Sequence, residues 1–210
     1  SDSKLPIGCD VPETIILADG DFPSHPLALE WLRQCPYVVC CDGAANTYIR
    51  SGRMPEAIVG DGDSLLPDIK ERYASLIHSE AEQETNDLSK AFRFCLSQER
   101  KRITIMGATG KREDHTIGNV SLLADYMEQA EVSMMTDYGI FVPIREDSMF
   151  ESYIGQQISV FNMNSTALSA EGLAYPLSVF TNWWQGTLNE ALARHFIIRT
   201  EGKVLVFRVF

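Results

Sequence analysis

Apolar positions along the first two thirds of the chain follow two alternating rhythms. Short β-branched runs predict strands at Thr14-Ile15-Ile16-Leu17-Ala18, Tyr37-Val38-Val39-Cys40-Cys41, Ala57-Ile58-Val59 and Arg102-Ile103-Thr104-Ile105-Met106, with a shorter one around Leu76-Ile77. Between them, helices are expected over residues 26–34, 44–51, 67–75, 87–98 and 114–129. In the fourth of these, Leu88, Ala91, Phe92, Cys95 and Leu96 share one face; in the fifth, Ile117, Val120, Leu123 and Ala124 are placed inward. Such alternation predicts an α/β fold, a Rossmann-like parallel sheet covered by helices on both faces.

After about Glu131 the rhythm changes. Short strands are predicted at 140–142, 157–161, 178–180, 196–200 and 204–210, the last two joined by Glu201-Gly202-Lys203 as a hairpin loop. This part reads as a smaller all-β sandwich. The expected division is residues 1–135 and 136–210, closely packed and without a flexible linker.

Composition narrows the classes. A chain of 210 residues, 45% hydrophobic and 22% charged, can bury a full core. A net charge of −11 leaves no basic stripe for a nucleic-acid backbone, so no nucleic-acid partner is expected. An acidic site can still take phosphates when metal ions lie between the two sets of oxygens. The five cysteines (Cys9, Cys35, Cys40, Cys41, Cys95) show no paired metal-ligand spacing and read as buried free thiols, which suits a cytoplasmic protein. No run of about 18 apolar residues predicts a membrane span, and no signal peptide is expected.

The chemistry concentrates where strands end. Asp19-Gly20-Asp21 follows the first strand, Asp42-Gly43-Ala44-Ala45-Asn46 the second, Gly60-Asp61-Gly62-Asp63-Ser64 the third, and Gly107-Ala108-Thr109-Gly110-Lys111-Arg112 the strand at 102–106. In an open parallel sheet these ends face the ligand. Asp61 and Asp63, one residue apart among glycines, suit a hard divalent ion such as Mg²⁺, although Asp and Gly are also turn residues. Thr85-Asn86-Asp87 opens a helix and reads as a cap on its own, or as a third metal ligand beside Asp61 and Asp63. The Gly107–Arg112 turn offers backbone N–H groups and two cations to phosphate without matching a P-loop. Asp114 and His115 read by default as a cap and a solvated residue.

Taken in order, Asp42-Gly43-Ala44-Ala45-Asn46, Gly60-Asp61-Gly62-Asp63-Ser64, Thr85-Asn86-Asp87 and the stretch from Gly107 to His115 resemble the thiamine pyrophosphokinase family. That resemblance implies an α/β nucleotide-binding unit joined to a β-sandwich, in a homodimer with active sites between subunits. It implies transfer of the pyrophosphoryl group of ATP to the hydroxyl of thiamine, giving thiamine diphosphate and AMP. Carried over by position, Asp61, Asp63 and Asp87 would hold Mg²⁺ and the triphosphate. Gln83, Thr85, Asn86, Thr109, Gly110, Lys111, Arg112 and Asp114 would line the ATP site, with Arg112 also stabilising charge. Asp42 would lie near the transferred group, and either Asp42 or Asp63 would take the hydroxyl proton.

The family's R-G-T-S-N-E segment in the thiamine pocket corresponds to Gln185-Gly186-Thr187-Leu188-Asn189-Glu190. Gln185 and Leu188 depart from it, leaving Thr187 and Asn189 as thiamine contacts. Trp183 and Trp184 would either face the cationic thiazolium ring or lie in the sandwich core. Two alternatives remain at this stage: a pyrophosphokinase for another alcohol, such as a hydroxymethylpterin, and a non-catalytic nucleotide- or thiamine-binding protein.

Overall fold

A computed structural model describes residues 10–80 and 84–210. Six strands, β1 (Thr14–Leu17), β2 (Val38–Cys41), β3 (Ala57–Val59), β4 (Ile77–His78), β5 (Arg102–Met106) and β6 (Glu131–Met135), pair in parallel in the order β6-β5-β1-β2-β3-β4. Helices α1 (Pro26–Gln34), α2 (Ala44–Arg50) and α3 (Pro67–Arg72) cover one face; α4 (Asp87–Ser97) and α5 (Glu113–Tyr126) cover the other.

Successive strand residues point to opposite faces. Ile15 and Leu17 therefore join Trp31 and Leu32 of α1 in one core, while Ile16 joins Leu88 and Phe92 of α4 in the other. Ile15, Ile16 and Leu17 are all 0% exposed, and burying each stabilises the fold by roughly 1.5–3 kcal/mol. Cover on both faces is why these strands read as unbroken apolar runs. Cys35, Cys40, Cys41 and Cys95 are buried free thiols within the same cores, while Cys9 lies outside the described residues.

The β-rich part comprises β7 (Gly139–Ile144), β8 (Ser148–Glu151), β9 (Gln157–Asn162), β10 (Leu168–Glu171), β11 (Asn189–Glu190), β12 (His195–Thr200) and β13 (Val204–Val209). β7 turns back antiparallel onto β6, with Phe141 opposite Met134. β13, β9 and β11 follow, so a single ten-stranded sheet runs through both parts. The second sheet, β10-β12-β8, supplies Phe150, Phe196 and Ile198 to a core shared with Ile158, Val160 and Val206.

The observed fold departs from the expected one in several places. Residues 178–180 form no strand: Phe180 has φ of 49° and Val179 is 42% exposed, so the backbone leaves extended geometry there. β12 and β13 are not a hairpin. The Glu201–Lys203 connection carries the chain from the three-stranded sheet to the ten-stranded one, because both strands turn apolar residues toward the same sandwich core. Ile117 is 56% exposed rather than inward. Trp183 and Trp184 are 53% and 71% exposed, which removes the core reading for both. Strands β6, β8, β10 and β11 lie where none was expected.

Candidate active site

The parallel strands deliver their C-terminal ends to one edge, and the polar loops that follow them enclose a cleft of about 810 Å³. Asp19, Asp87, Lys111, Arg112 and Asp114 are among its lining residues. Helices α4 and α5 both begin at this edge, so the positive ends of their dipoles face whatever binds there.

Asp42, directly after β2, is 4% exposed and has φ of 35°, a left-handed conformation that Asp tolerates better than most residues. Its Oδ1 accepts the Ser64 N–H at 3.2 Å, and its carboxyl group lies within hydrogen-bonding reach of Asp61. Burial first, and then the Asp61 carboxylate, push its pKa up to about 6. Asp61 is held below its usual range, chiefly by the Asp63 N–H that donates to its Oδ1 at 2.9 Å. Asn46 braces this turn from α2: its Nδ2 donates to Ser64 O at 2.9 Å, and its Oδ1 accepts the Leu66 N–H at 3.0 Å. The Asp63 side chain is exposed.

Two further carboxylates belong to the group. Asp87 opens α4; partial burial raises its pKa, Lys90 opposes the shift and Asp61 adds to it. Asp19 was not among the expected site residues, although the sequence shows it at a strand end. Partial burial raises its pKa, against Lys111 and with Asp87. A side chain at Gly43 would come within 2.7 Å of Asp19 Oδ2, so the α2 start leaves room for that carboxylate. Asp19, Asp42, Asp61 and Asp87 thus form one electrostatically connected acidic region.

These donors are all carboxylate oxygens, the chemistry of a hard cation. Among the described residues, no group of three or more His, Cys, Asp or Glu side chains is placed to hold a metal ion by itself, Asp61, Asp63 and Asp87 included. Carboxylate oxygens suit Mg²⁺, which is usually held by one or two carboxylates with substrate phosphates and water completing its shell.

Two cations, Lys111 and Arg112, line the same cleft. Lys111 Nζ donates to Asp19 O at 3.1 Å and lies 3.8 Å from its Oδ1. Arg112 grips Asp114 through two nitrogens, at 3.2 and 2.7 Å, holding that carboxyl below its usual range. Thr109 O accepts the Asp21 N–H at 2.9 Å. At Gly110, with φ of 94°, a Cβ would sit 2.3 Å from Asp21 Oδ2, so only glycine lets the two loops meet.

Asn86 caps α4 by accepting the Ser89 N–H at 2.9 Å, and its Nδ2 donates to Asn119 Oδ1 at 3.1 Å. Asn119 in turn donates to Ala108 O at 2.9 Å, tying α4 to α5 and to the glycine-rich loop. Nothing in the sequence marks that brace, since Asn119 lies inside a helix away from any motif end. Thr85 Oγ1 accepts from Arg93 at 3.0 Å. Gln83 lies outside the described residues.

The expected thiamine contacts stand apart from this cleft. Trp183 lines a largely apolar hollow of about 180 Å³ with Ile117 and Val120 of α5, and Thr116 and Ser121 border both this hollow and the cleft. Trp184 is exposed, and Thr187 Oγ1 donates to Trp184 O at 2.7 Å. Asn189 is 4% exposed and its amide is committed to the Tyr175 backbone, at 3.1 and 2.9 Å, so it braces the loop instead of facing a ligand. Gln185 accepts the N–H groups of Thr181 and Asn182 at 2.7 and 2.8 Å, a capping role. Leu188 is 82% exposed with φ of 63°.

Residues 28–135 match the family model for the thiamin pyrophosphokinase catalytic domain, and residues 139–207 match that for its substrate-binding domain. Thiamine pyrophosphokinase 1 of Oryza sativa subsp. japonica is 30% identical over 129 residues, which are 50% of this chain and 49% of that protein. Thiamine pyrophosphokinase of Bacillus subtilis is 34% identical over 86 residues, 39% of this chain and 40% of the relative. The matched segment spans about half the length of the first of these relatives, and less of the second. The crystal structure of the B. subtilis thiamine pyrophosphokinase superposes with a TM-score of 0.78 at 20% identity, covering 93% of this chain and 98% of that one. Thiamin pyrophosphokinase from Candida albicans gives 0.76 at 18% identity, covering 100% and 97%. These superpositions share the fold. Neither a pterin acceptor nor a non-catalytic binder finds support in any of the matches. With catalytic and substrate-binding models matched in order over most of its length, the chain belongs to the thiamin pyrophosphokinase family.

Proposed function

We propose that this chain is an ATP-dependent thiamine pyrophosphokinase. The observation that carries the reading is the cleft itself, which Asp19 and Asp87 line together with Lys111 and Arg112, while Asp42 and Asp61, electrostatically connected to Asp87, are not among its lining residues. A polyphosphate bridged to carboxylates by a cation needs that pairing of carboxylates with cations.

In the proposed reaction the thiamine hydroxyl oxygen attacks the β-phosphorus of ATP. The new O–P bond forms as the bond from the β-phosphorus to the α,β-bridging oxygen breaks, and AMP departs with that oxygen. The hydroxyl proton leaves to a carboxylate, that of Asp42 or of Asp63. Such a transfer asks the protein for in-line positioning and charge neutralisation, with little covalent chemistry. Asp61, Asp63 and Asp87 would hold Mg²⁺, which supplies charge neutralisation on the phosphate oxygens when bound. Lys111 and the N–H groups of the Thr109-Gly110 turn bind phosphate, Thr85, Asn86 and Asp114 line the nucleotide, and Arg112 stabilises charge on the transferred group. Trp183, Trp184 and Thr187 contact thiamine, while Asn189 holds their segment in shape.

The same reading takes residues 1–135 as the catalytic unit and 136–210 as the thiamine-binding unit, in a cytoplasmic homodimer. The exposed Trp184 and Leu188 support the dimer, because in one chain neither lines the phosphate cleft. No helix among the described residues is long and apolar enough to cross a membrane.

The test is AMP release from ATP and Mg²⁺ with and without thiamine. Thiamine-dependent AMP is expected; its absence with thiamine present would overturn the proposal.

A further inference from the structure

We infer that Asp137, in the turn between β6 and β7, is a positioning residue that sets the shape of the nucleotide cleft by anchoring the β1–α1 loop. This inference rests on the nucleotide role proposed above. Asp137 Oδ1 accepts the N–H groups of Ser24 and His25, both at 2.9 Å, and its Oδ2 accepts Ser24 Oγ at 2.8 Å. The partners lie 113 and 112 residues away in sequence, so no local turn explains them.

The anchored segment is the entry to α1. His25 caps that helix, its Nδ1 accepting the Leu27 N–H at 3.1 Å, and its ring packs on Phe210 at 4.3 Å. At its other end the same loop continues the β1–β5 ladder beyond the sheet. Ala18 N–H donates to Met106 O at 2.8 Å, Gly20 N–H to Gly107 O at 2.6 Å, and Asp21 N–H to Thr109 O at 2.9 Å. The β1–α1 and β5–α5 loops are therefore one wall of the cleft, fastened by the sheet at one end and by Asp137 at the other.

Asp19 and Lys111 sit on that wall, with Lys111 donating to the Asp19 carbonyl. Loops of this kind are otherwise the mobile part of a scaffold. Three hydrogen bonds to one carboxylate are the strong, charge-assisted type. Asp137 lies in the turn where the sheet changes from the parallel β5–β6 pair to the antiparallel β6–β7 pair.

The test uses the whole chain as wild type, Asp137→Ala, Asp137→Asn and Ser24→Ala. Affinity for a non-hydrolysable ATP analogue with Mg²⁺ is measured by calorimetry, beside ATP and thiamine titrations of turnover and thermal unfolding. Asp137→Ala is expected to weaken analogue affinity and raise the ATP KM by about tenfold, with kcat held within about threefold. Asp137→Asn keeps the Oδ1 acceptor for both backbone N–H groups and is expected to restore affinity to within about threefold of wild type. Ser24→Ala removes only the Oδ2 contact and is expected to weaken affinity by about two- to threefold, a result that stands even if Asp137→Ala does not fold. Wild-type affinity in Asp137→Ala, or equal impairment of the Ala and Asn variants, would overturn the inference. A wild-type chain that does not bind the analogue would instead overturn the nucleotide reading beneath it.

Discussion

The two halves of the proposed site differ in how they are built. The phosphate edge is constrained: Asp42 is buried, Asn46 braces the acidic turn, and Gly20 and Asp21 zip one loop to the next. The sandwich segment is the reverse, with Tyr175, Trp184, Leu188 and Leu192 each more than half exposed. Its backbone is nevertheless fixed by Asn189 and Gln185, and Leu188 is held at positive φ. Such strain persists only where surrounding contacts over-determine the conformation. The proposed donor side is thus held by contacts within one chain, while the proposed acceptor side is an apolar surface open to solvent.

Substitutions can break this contrast, and the largest effect belongs to the acidic edge. Asp63→Asn is expected to lower kcat by about a thousandfold or more with thermal unfolding unchanged, because its side chain is exposed and supports charge handling rather than packing. Near-wild-type turnover would remove Asp63 from the metal role. Arg112→Ala comes next: the ATP KM should rise by roughly 10–100-fold while the thiamine KM stays within about twofold. An unchanged dependence on ATP concentration would contradict the cationic role of Arg112.

On the sandwich side the expected effects are smaller and separate stability from binding. Asn189→Ala leaves the Tyr175 backbone groups without partners and should cost about 1–3 kcal/mol in denaturant unfolding. An unchanged midpoint would contradict the bracing role of Asn189. Trp184→Ala removes an exposed ring, so stability should move by less than about 0.5 kcal/mol. Its thiamine KM should nevertheless rise by roughly 3–10-fold through lost cation–π and stacking contact. A drop in stability without a KM change would return Trp184 to a structural role.

How far the sequence carried the account follows the same contrast. Strands buried on both faces wrote unmistakable apolar runs, and 57–59 and 102–106 match their predicted bounds. The Asp–Gly turns at their ends were legible because a parallel sheet must send them to one edge. β8 and β10 were not legible: each has one buried residue, Phe150 and Leu168, too few for a period to show. The 201–203 connection misled because tight loops look alike whether they stay in one sheet or cross to another. The roles of Asn189, Gln185 and Asp137 depend on partners, some more than a hundred residues away, that only the folded chain brings together.

The most direct test of the central claim follows the phosphorus atoms. Wild-type chain is incubated with Mg²⁺, thiamine and ATP labelled separately at the α, β or γ phosphorus, and the thiamine product is isolated. The account expects β and γ label together in thiamine diphosphate and α label only in AMP. Transfer of γ label alone, with ADP as the other product, or no label in thiamine, would contradict it.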